Sequence, residues 1–339
     1  MADSPPAPSA VVDPSATQAT QRAVAVLAGR WDLVLRLGLL GIIIILAVFF
    51  AIRSPVFLSV DNLQNIGRQM AVFGVIAVGE TFVIVTAGID LSVGSLLGIT
   101  GLVCALELAH GWPLVLAIVT PLLLGTFIGL FNGALIDTQK LPPFIVTLGM
   151  LGILRGVTEM MGGGLDVTFN PSGFTDFGIG VTLGVPNLFL VLAGVCIVSG
   201  LVLHFTRLGR HIYALGSNPE GARLAGINVR STTLFVYATS GFLAAIAGIL
   251  LTSRLSLGDP NSGTGYELDA ISAAVLGGAS LFGARGTIAG TFMGVLLVNM
   301  IANGINLLNV DAFFSRVVEG ALLIAVVWVD QWRKRRLAL

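Results

Sequence analysis

Amid otherwise apolar sequence, the stretch Gly88-Ile89-Asp90-Leu91-Ser92-Val93-Gly94 sets a carboxylate and two glycines where hydrocarbon is expected. Apolar segments surround it at 37–52, 63–87, 92–108, 113–136, 142–158, 187–205, 232–252, 267–283, 287–303 and 314–329, most of them long enough to cross a bilayer as a helix. Lipid offers backbone amides no partner, so the spans must be helical, and irregular backbone is tolerated only where protein or water covers it. The expectation is an all-α polytopic membrane protein of about 10 transmembrane helices, some of them broken. A charge at such depth marks either a transport path or a helix-packing device.

Composition supports this: 55% of the 339 residues are hydrophobic and 11% charged, whereas a soluble domain carries roughly a quarter charged residues. Eighteen basic residues balance eighteen acidic ones, which leaves no basic face for nucleic acid. Cys104 and Cys196 sit in apolar runs, and His110, His204 and His211 are scattered, so neither a disulfide nor a metal site is indicated. Neither Lys140 nor Lys334 has the glycines and hydroxyl of a phosphate-binding loop. Uphill transport would need ATP hydrolysed by another subunit, or an ion gradient.

Residues 1–30, rich in Pro, Ala, Ser and Thr, read as a disordered tail, residues 31–330 as the membrane domain and 331–339 as a basic tail. With both termini on one side, thirteen of the eighteen basic residues fall on that side, including Arg207, Arg210, Arg223, Arg230 and Arg333 to Arg336. The positive-inside rule then puts both termini in the cytoplasm. The segment 161–186 falls outside, as a cover for the outer mouth or a plain surface loop, and 206–231 is the largest inner segment between spans.

Forty-three glycines, with patterns such as Gly94-x-x-x-Gly98, Gly125-x-x-x-Gly129-x-x-x-Gly133 and Gly286-x-x-x-Gly290-x-x-x-Gly294, point to close helix packing. Two polar breaks are candidates for a translocation path or gate: Asp90 with Ser92, and Glu267 with Asp269 and Ser272. Asn132, Thr147, Asn299 and Asn303 add neutral groups able to exchange water for solute hydroxyls. The alternative role for all of them is interhelical bonding and capping of broken helices. Matching breaks in the two halves hint at duplication.

Four segments in order, Gly88 to Gly94, Pro143-Phe144-Ile145-Val146-Thr147-Leu148-Gly149, Asn218-Pro219-Glu220-Gly221-Ala222-Arg223-Leu224-Ala225-Gly226-Ile227, and Glu267-Leu268-Asp269-Ala270-Ile271 through Gly277-Gly278, resemble signatures of the ribose-type monosaccharide permeases of ABC transporters. The resemblance implies the permease subunit of a sugar importer in a bacterial inner membrane, a homodimer that is not itself an enzyme. It also implies ABC ATPase partners that bind ATP and Mg, a periplasmic sugar-binding protein, and no cofactor in this chain. Asn218, Glu220, Ala222, Arg223 and Gly226 map onto the family's ATPase-coupling segment. A permease for branched-chain amino acids or another small polar solute is the related alternative. A secondary transporter would instead need an ion-binding carboxylate, and a channel neither coupling segment nor ATPase.

Overall fold

The structure is a computed structural model and describes residues 37–169, 173–311 and 313–337. The tail expected over 1–30 and the last two residues of the basic tail lie outside the described residues. Hydropathy translates into helices much as expected: α1 (Leu37–Arg53), α2 (Val60–Val85), α3 (Val93–Ala109), α4 (Leu114–Thr138), α5 (Pro143–Gly162), α6 (Phe174–Ile179), α7 (Asn187–Phe205), α8 (Arg207–Ser217), α9 (Pro219–Leu224), α10 (Val229–Leu255), α11 (Tyr266–Leu276), α12 (Ile288–Leu307) and α13 (Phe313–Leu337). Six of these, α2, α4, α5, α7, α10 and α12, are long and apolar enough to cross a membrane unaided. Helix α13 continues to Leu337, so the basic cluster from Arg333 is helical and not a separate tail.

One expected span needs correction. In place of a helix over 267–283, α11 has 11 residues, ends at Leu276, and gives way to a turn at Gly277-Gly278. At 1.5 Å per residue it covers about 16 Å, half of a bilayer core. The chain before it is unwound. Residues 256–265 leave α10 through the short strand β4 (Leu257–Gly258), which pairs antiparallel with β1 (Val167–Thr168), and then run down beside α3. Gly258 packs on Leu102 and Ala105, Gly98 faces the Ser262 carbonyl, and Gly263 meets Gly94 backbone to backbone. Gly94 lies fifteen residues, about 22 Å of helix, from the end of α3 at Ala109. This irregular strand therefore reaches deep into the bundle.

Helix neighbours repeat in a way the sequence only hinted at. The central pair α2 and α10 pack on each other; α3 and α4 pack on α10 and on each other, while α11 and α12 do the same around α2. Helix α5 covers α3 as α13 covers α11. Exchanging α2–α5 for α10–α13 thus maps the packing onto itself. The two central helices run in opposite directions: α2 ends beside Gly216 of α8, and α10 begins just after α9 and ends where Ser253 bonds Phe174. That is an inverted repeat, each half with an unwound segment, 86–92 after α2 and 256–265 after α10. The glycine patterns serve the close approach: Gly129 lies against the Tyr237 carbonyl, and Gly290 against that of Gly277.

The segment between α5 and α7 closes one end of the bundle, with β1 held by β4, α6 packed on α10, and a two-stranded hairpin of β2 (Val181–Thr182) and β3 (Val185–Pro186). Helices α8 and α9 occupy the opposite end.

Candidate functional site

The first break is organised by Asp90. Its Oδ1 accepts the Ser92 backbone N–H (3.0 Å) and the Ser92 hydroxyl (2.6 Å), so the carboxylate holds the start of α3. Its Oδ2 accepts the Ser240 hydroxyl from α10 (2.9 Å), and its backbone N–H donates to Oε1 of Glu80 on α2 (3.1 Å). The Asn132 amide of α4 donates to Ser92 Oγ (3.1 Å), and the Thr147 hydroxyl of α5 lies between the Ile89 carbonyl (3.1 Å) and the Pro143 carbonyl of its own helix (3.0 Å). Five helices meet here. Glu80, Asp90, Ser92, Asn132 and Thr147 expose no surface, and Ser240 and Tyr237 about 1% each. Glu80 Oε2, Asn132 Oδ1 and the Tyr237 hydroxyl have no hydrogen-bond partner among the described residues. Four of the sequence candidates, Asp90, Ser92, Asn132 and Thr147, are therefore brought together.

Glu80, Ser240 and Tyr237 were missed. Glu80 is the single charged residue between Arg68 and Asp90, a signal of the same kind that singled out Asp90. Ser240 and Tyr237 carry no local mark, because only the fold brings α10 against the break.

The second break is more open. The Glu267 carboxylate sits against Gly94, and its Oε2 has no partner. Arg155 of α5 donates through Nη1 to the carbonyls of Pro260 (3.0 Å) and Ser262 (3.1 Å). Arg155 thus turns inward onto backbone. Asp259 closes a turn by accepting the Asn261 N–H (2.8 Å). Asn261, Thr264 and Leu268 are exposed, Glu267 and Asp269 partly so, and Ser272 is buried one turn further on. The contact of Gly94 with Gly263 and Glu267 joins the two breaks.

Asn299 and Asn303 join neither group. Asn303 and Asn62 exchange amide hydrogen bonds (3.0 and 2.8 Å) between α12 and α2, and Asn299 donates to the Val295 carbonyl of its own helix (2.9 Å). These are packing contacts.

At the far end, Asn218 caps α9 by accepting the Gly221 N–H (2.9 Å), Pro219 takes the first helical position, and Ala222 is buried beneath. Gly226 closes the turn at φ +82°. Glu220 and Arg223 form a two-pronged ion pair (2.6 and 3.1 Å), and the guanidinium holds the Glu220 carboxyl below its ordinary range. Both are about two-thirds exposed. The preceding helix α8 seats Gly216 against the Val85 carbonyl at the start of the first break, and its Tyr213 hydroxyl donates to the Gly286 carbonyl (2.6 Å). Ala284, after α11, donates its N–H to the same Val85 carbonyl (2.9 Å).

The protein family described as branched-chain amino acid transport system / permease component matches residues 62–327, which include both breaks and α8–α9. The chain belongs to that family. It is 42% identical over 300 residues to the ribose import permease protein RbsC of Escherichia coli (strain K12), covering 86% of this chain and 92% of the relative. RbsC of Bacillus subtilis (strain 168) is 41% identical over 289 residues, covering 85% and 90%. The xylose transport system permease protein XylH of Escherichia coli (strain K12) is 36% identical over 358 residues, covering 87% and 91%. No solved structure matches the chain significantly. As a member of this permease family, the chain is a membrane protein whose breaks and end helices are parts of a transport subunit.

Proposed function

We propose that this chain is the membrane-spanning subunit of an ATP-driven importer for a monosaccharide, a ribose-like pentose or a similar small sugar. It works as a homodimer in a bacterial inner membrane, with both termini in the cytoplasm. ABC ATPase partners binding ATP and Mg dock at α9, and a periplasmic binding protein delivers sugar at the opposite end.

The observation that carries this reading is the polar, part-exposed stretch Thr264–Asp269, which begins beside Gly94 well inside the bundle. Irregular backbone that ends at Gly265, followed at once by the carboxylates of Glu267 and Asp269, cannot face lipid at that depth; a second copy covers it or it borders a water-filled path. The exposed polar residues Asn261 and Thr264 beside it suit a solute made of hydroxyls, which needs acceptors and donors in place of water. The names of the relatives, ribose and xylose permeases, favour a sugar. The family description favours the second reading, a branched-chain amino acid.

The test is uptake into proteoliposomes holding this chain, its ATPase and its binding protein, with labelled ribose, xylose, glucose and leucine offered in parallel. ATP-dependent accumulation of one sugar is expected. Accumulation of leucine alone would replace the substrate class, and uptake that persists without the ATPase would overturn the importer reading.

A further inference from the structure

Helix α5 reaches both breaks with side-chain donors. Thr147 bonds the Ile89 carbonyl in the first, and Arg155, a little over two turns along, bonds the Pro260 and Ser262 carbonyls in the second. An unwound segment leaves carbonyls without helical partners, and away from water each unpaired one is costly. One guanidinium nitrogen serves two of them. The Ser262 carbonyl it holds also faces Gly98, and the next residue, Gly263, lies on Gly94. The Glu267 carboxylate packs on that same Gly94.

We propose that Arg155 is a positioning residue of the translocation path: by tying the carbonyls of Pro260 and Ser262 to α5, it fixes how closely segment 256–265 approaches Gly94, and so where the Glu267 carboxylate rests at the start of α11. The second break has no cap of its own at this point. Helix α11 starts after Gly265, which is in the left-handed region (φ +86°) and supplies no side chain. Its approach is therefore set from α5. Because α5 also touches the first break, where the Thr147 hydroxyl lies 3.1 Å from the Ile89 carbonyl, one helix contacts both unwound segments. This inference rests on the path reading above.

Two measurements test it, one of which does not depend on transport. In a background with Cys104 and Cys196 replaced by alanine, Ser262→Cys is introduced; the Ser262 carbonyl, which Arg155 holds, is retained. Labelling of that thiol by a small water-soluble maleimide is timed in membranes. Releasing a charged donor from two carbonyls is expected to raise the rate about tenfold in Arg155→Gln. Arg155→Lys, which keeps a charge and donors, should restore most of the protection. Should Arg155→Gln fail to reach the membrane, Arg155→Lys is scored alone against the parent, with a rise of about twofold to threefold expected from its poorer geometry.

The second measurement is ATP-driven uptake by the full transporter carrying Arg155→Gln, Glu267→Gln and both. A residue acting through Glu267 gives losses that do not add. Labelling unchanged in the variants, or strictly additive uptake losses, would overturn the proposal. Labelling that rises in a protein transporting none of the offered solutes would leave the Arg155 assignment intact and remove the importer reading instead.

Discussion

Replacing Ser240 by alanine deletes a single hydroxyl on α10, the sole donor to Oδ2 of Asp90. Both residues are essentially without solvent contact, so no water takes the vacated place without disturbing the packing. A hydrogen bond to a charged group contributes about 1.5–3 kcal/mol, and a loss of about 2 kcal/mol lowers the folded-to-open ratio roughly thirtyfold. Oδ1 keeps both donors from Ser92, which is why the loss is not larger. Ser92→Ala should cost more, because it removes a donor to Asp90 and also strands the Asn132 amide. Cys104, fully buried in α3, is a built-in reporter. With Cys196 replaced by alanine, the rate at which Cys104 reacts with a maleimide under native conditions follows the population of open states. We expect a roughly thirtyfold faster reaction for Ser240→Ala at matched folded protein. The control is Thr126→Val, which removes a hydroxyl that bonds the Leu122 carbonyl of its own helix, and should stay within about 0.5 kcal/mol. A Ser240→Ala rate equal to that of the control would refute the claim that Asp90 draws stability from α10.

Gly94→Ala puts a methyl group onto the Glu267 carboxylate and the Gly263 carbonyl, whereas Gly149→Ala on the outer face of α5 meets open space. Heat resistance in detergent should fall for the first and hold or rise by about 1 kcal/mol for the second; equal behaviour would place the Gly94 contact in doubt. The Glu220–Arg223 pair has a pH signature: Glu220 is held low, so its support for α9 is complete above the ordinary carboxylate range and fades as pH falls through the lowered value. Carbon-detected NMR titration of glutamate-labelled protein should find that midpoint rising toward normal in Arg223→Gln and in high salt, and an identical midpoint in both proteins would contradict the pair. For orientation, a reporter joined after Leu339 that is active only in the cytoplasm should be active, and a periplasmic signal would reverse the assignment.

Where the sequence was legible, the physics was local. Hydropathy located the long spanning helices, though not α6, α8, α9 or the end of α11, and the break at Gly88 to Gly94 stood out because a charge and two glycines interrupt an apolar run. At the second break the unwound segment is 256–265, ahead of Glu267, Asp269 and Ser272, which lie on α11. Ser256 to Gly265, with Asp259, Asn261 and Ser262, looks like an ordinary surface turn, and what draws it inward is glycine-on-glycine contact with α3, a tertiary fact. The neutral amides were unreadable for a related reason. Asn132 on α4 and Asn303 on α12 sit in similar apolar contexts, yet one bonds Ser92 at the first break and the other a partner asparagine. The pairing of Glu220 with Arg223 follows from their i, i+3 spacing once a short helix forms there, and it leaves both side chains about two-thirds exposed.

The seat of Gly216 on Val85 bears on how force would pass through the molecule. A joint made of side chains has play: rotamers turn and a methylene chain bends before its neighbour feels the push. Here peptide meets peptide, and the same Val85 carbonyl is tied by Ala284 to the chain that leaves α11. If nucleotide-driven motion enters at α9, the neighbouring α8 would carry it through this backbone joint to the start of the first break and to the turn that follows α11. Such a joint has to be built of glycine, since any side chain at 216 would be a wedge driven between the lever and what it moves.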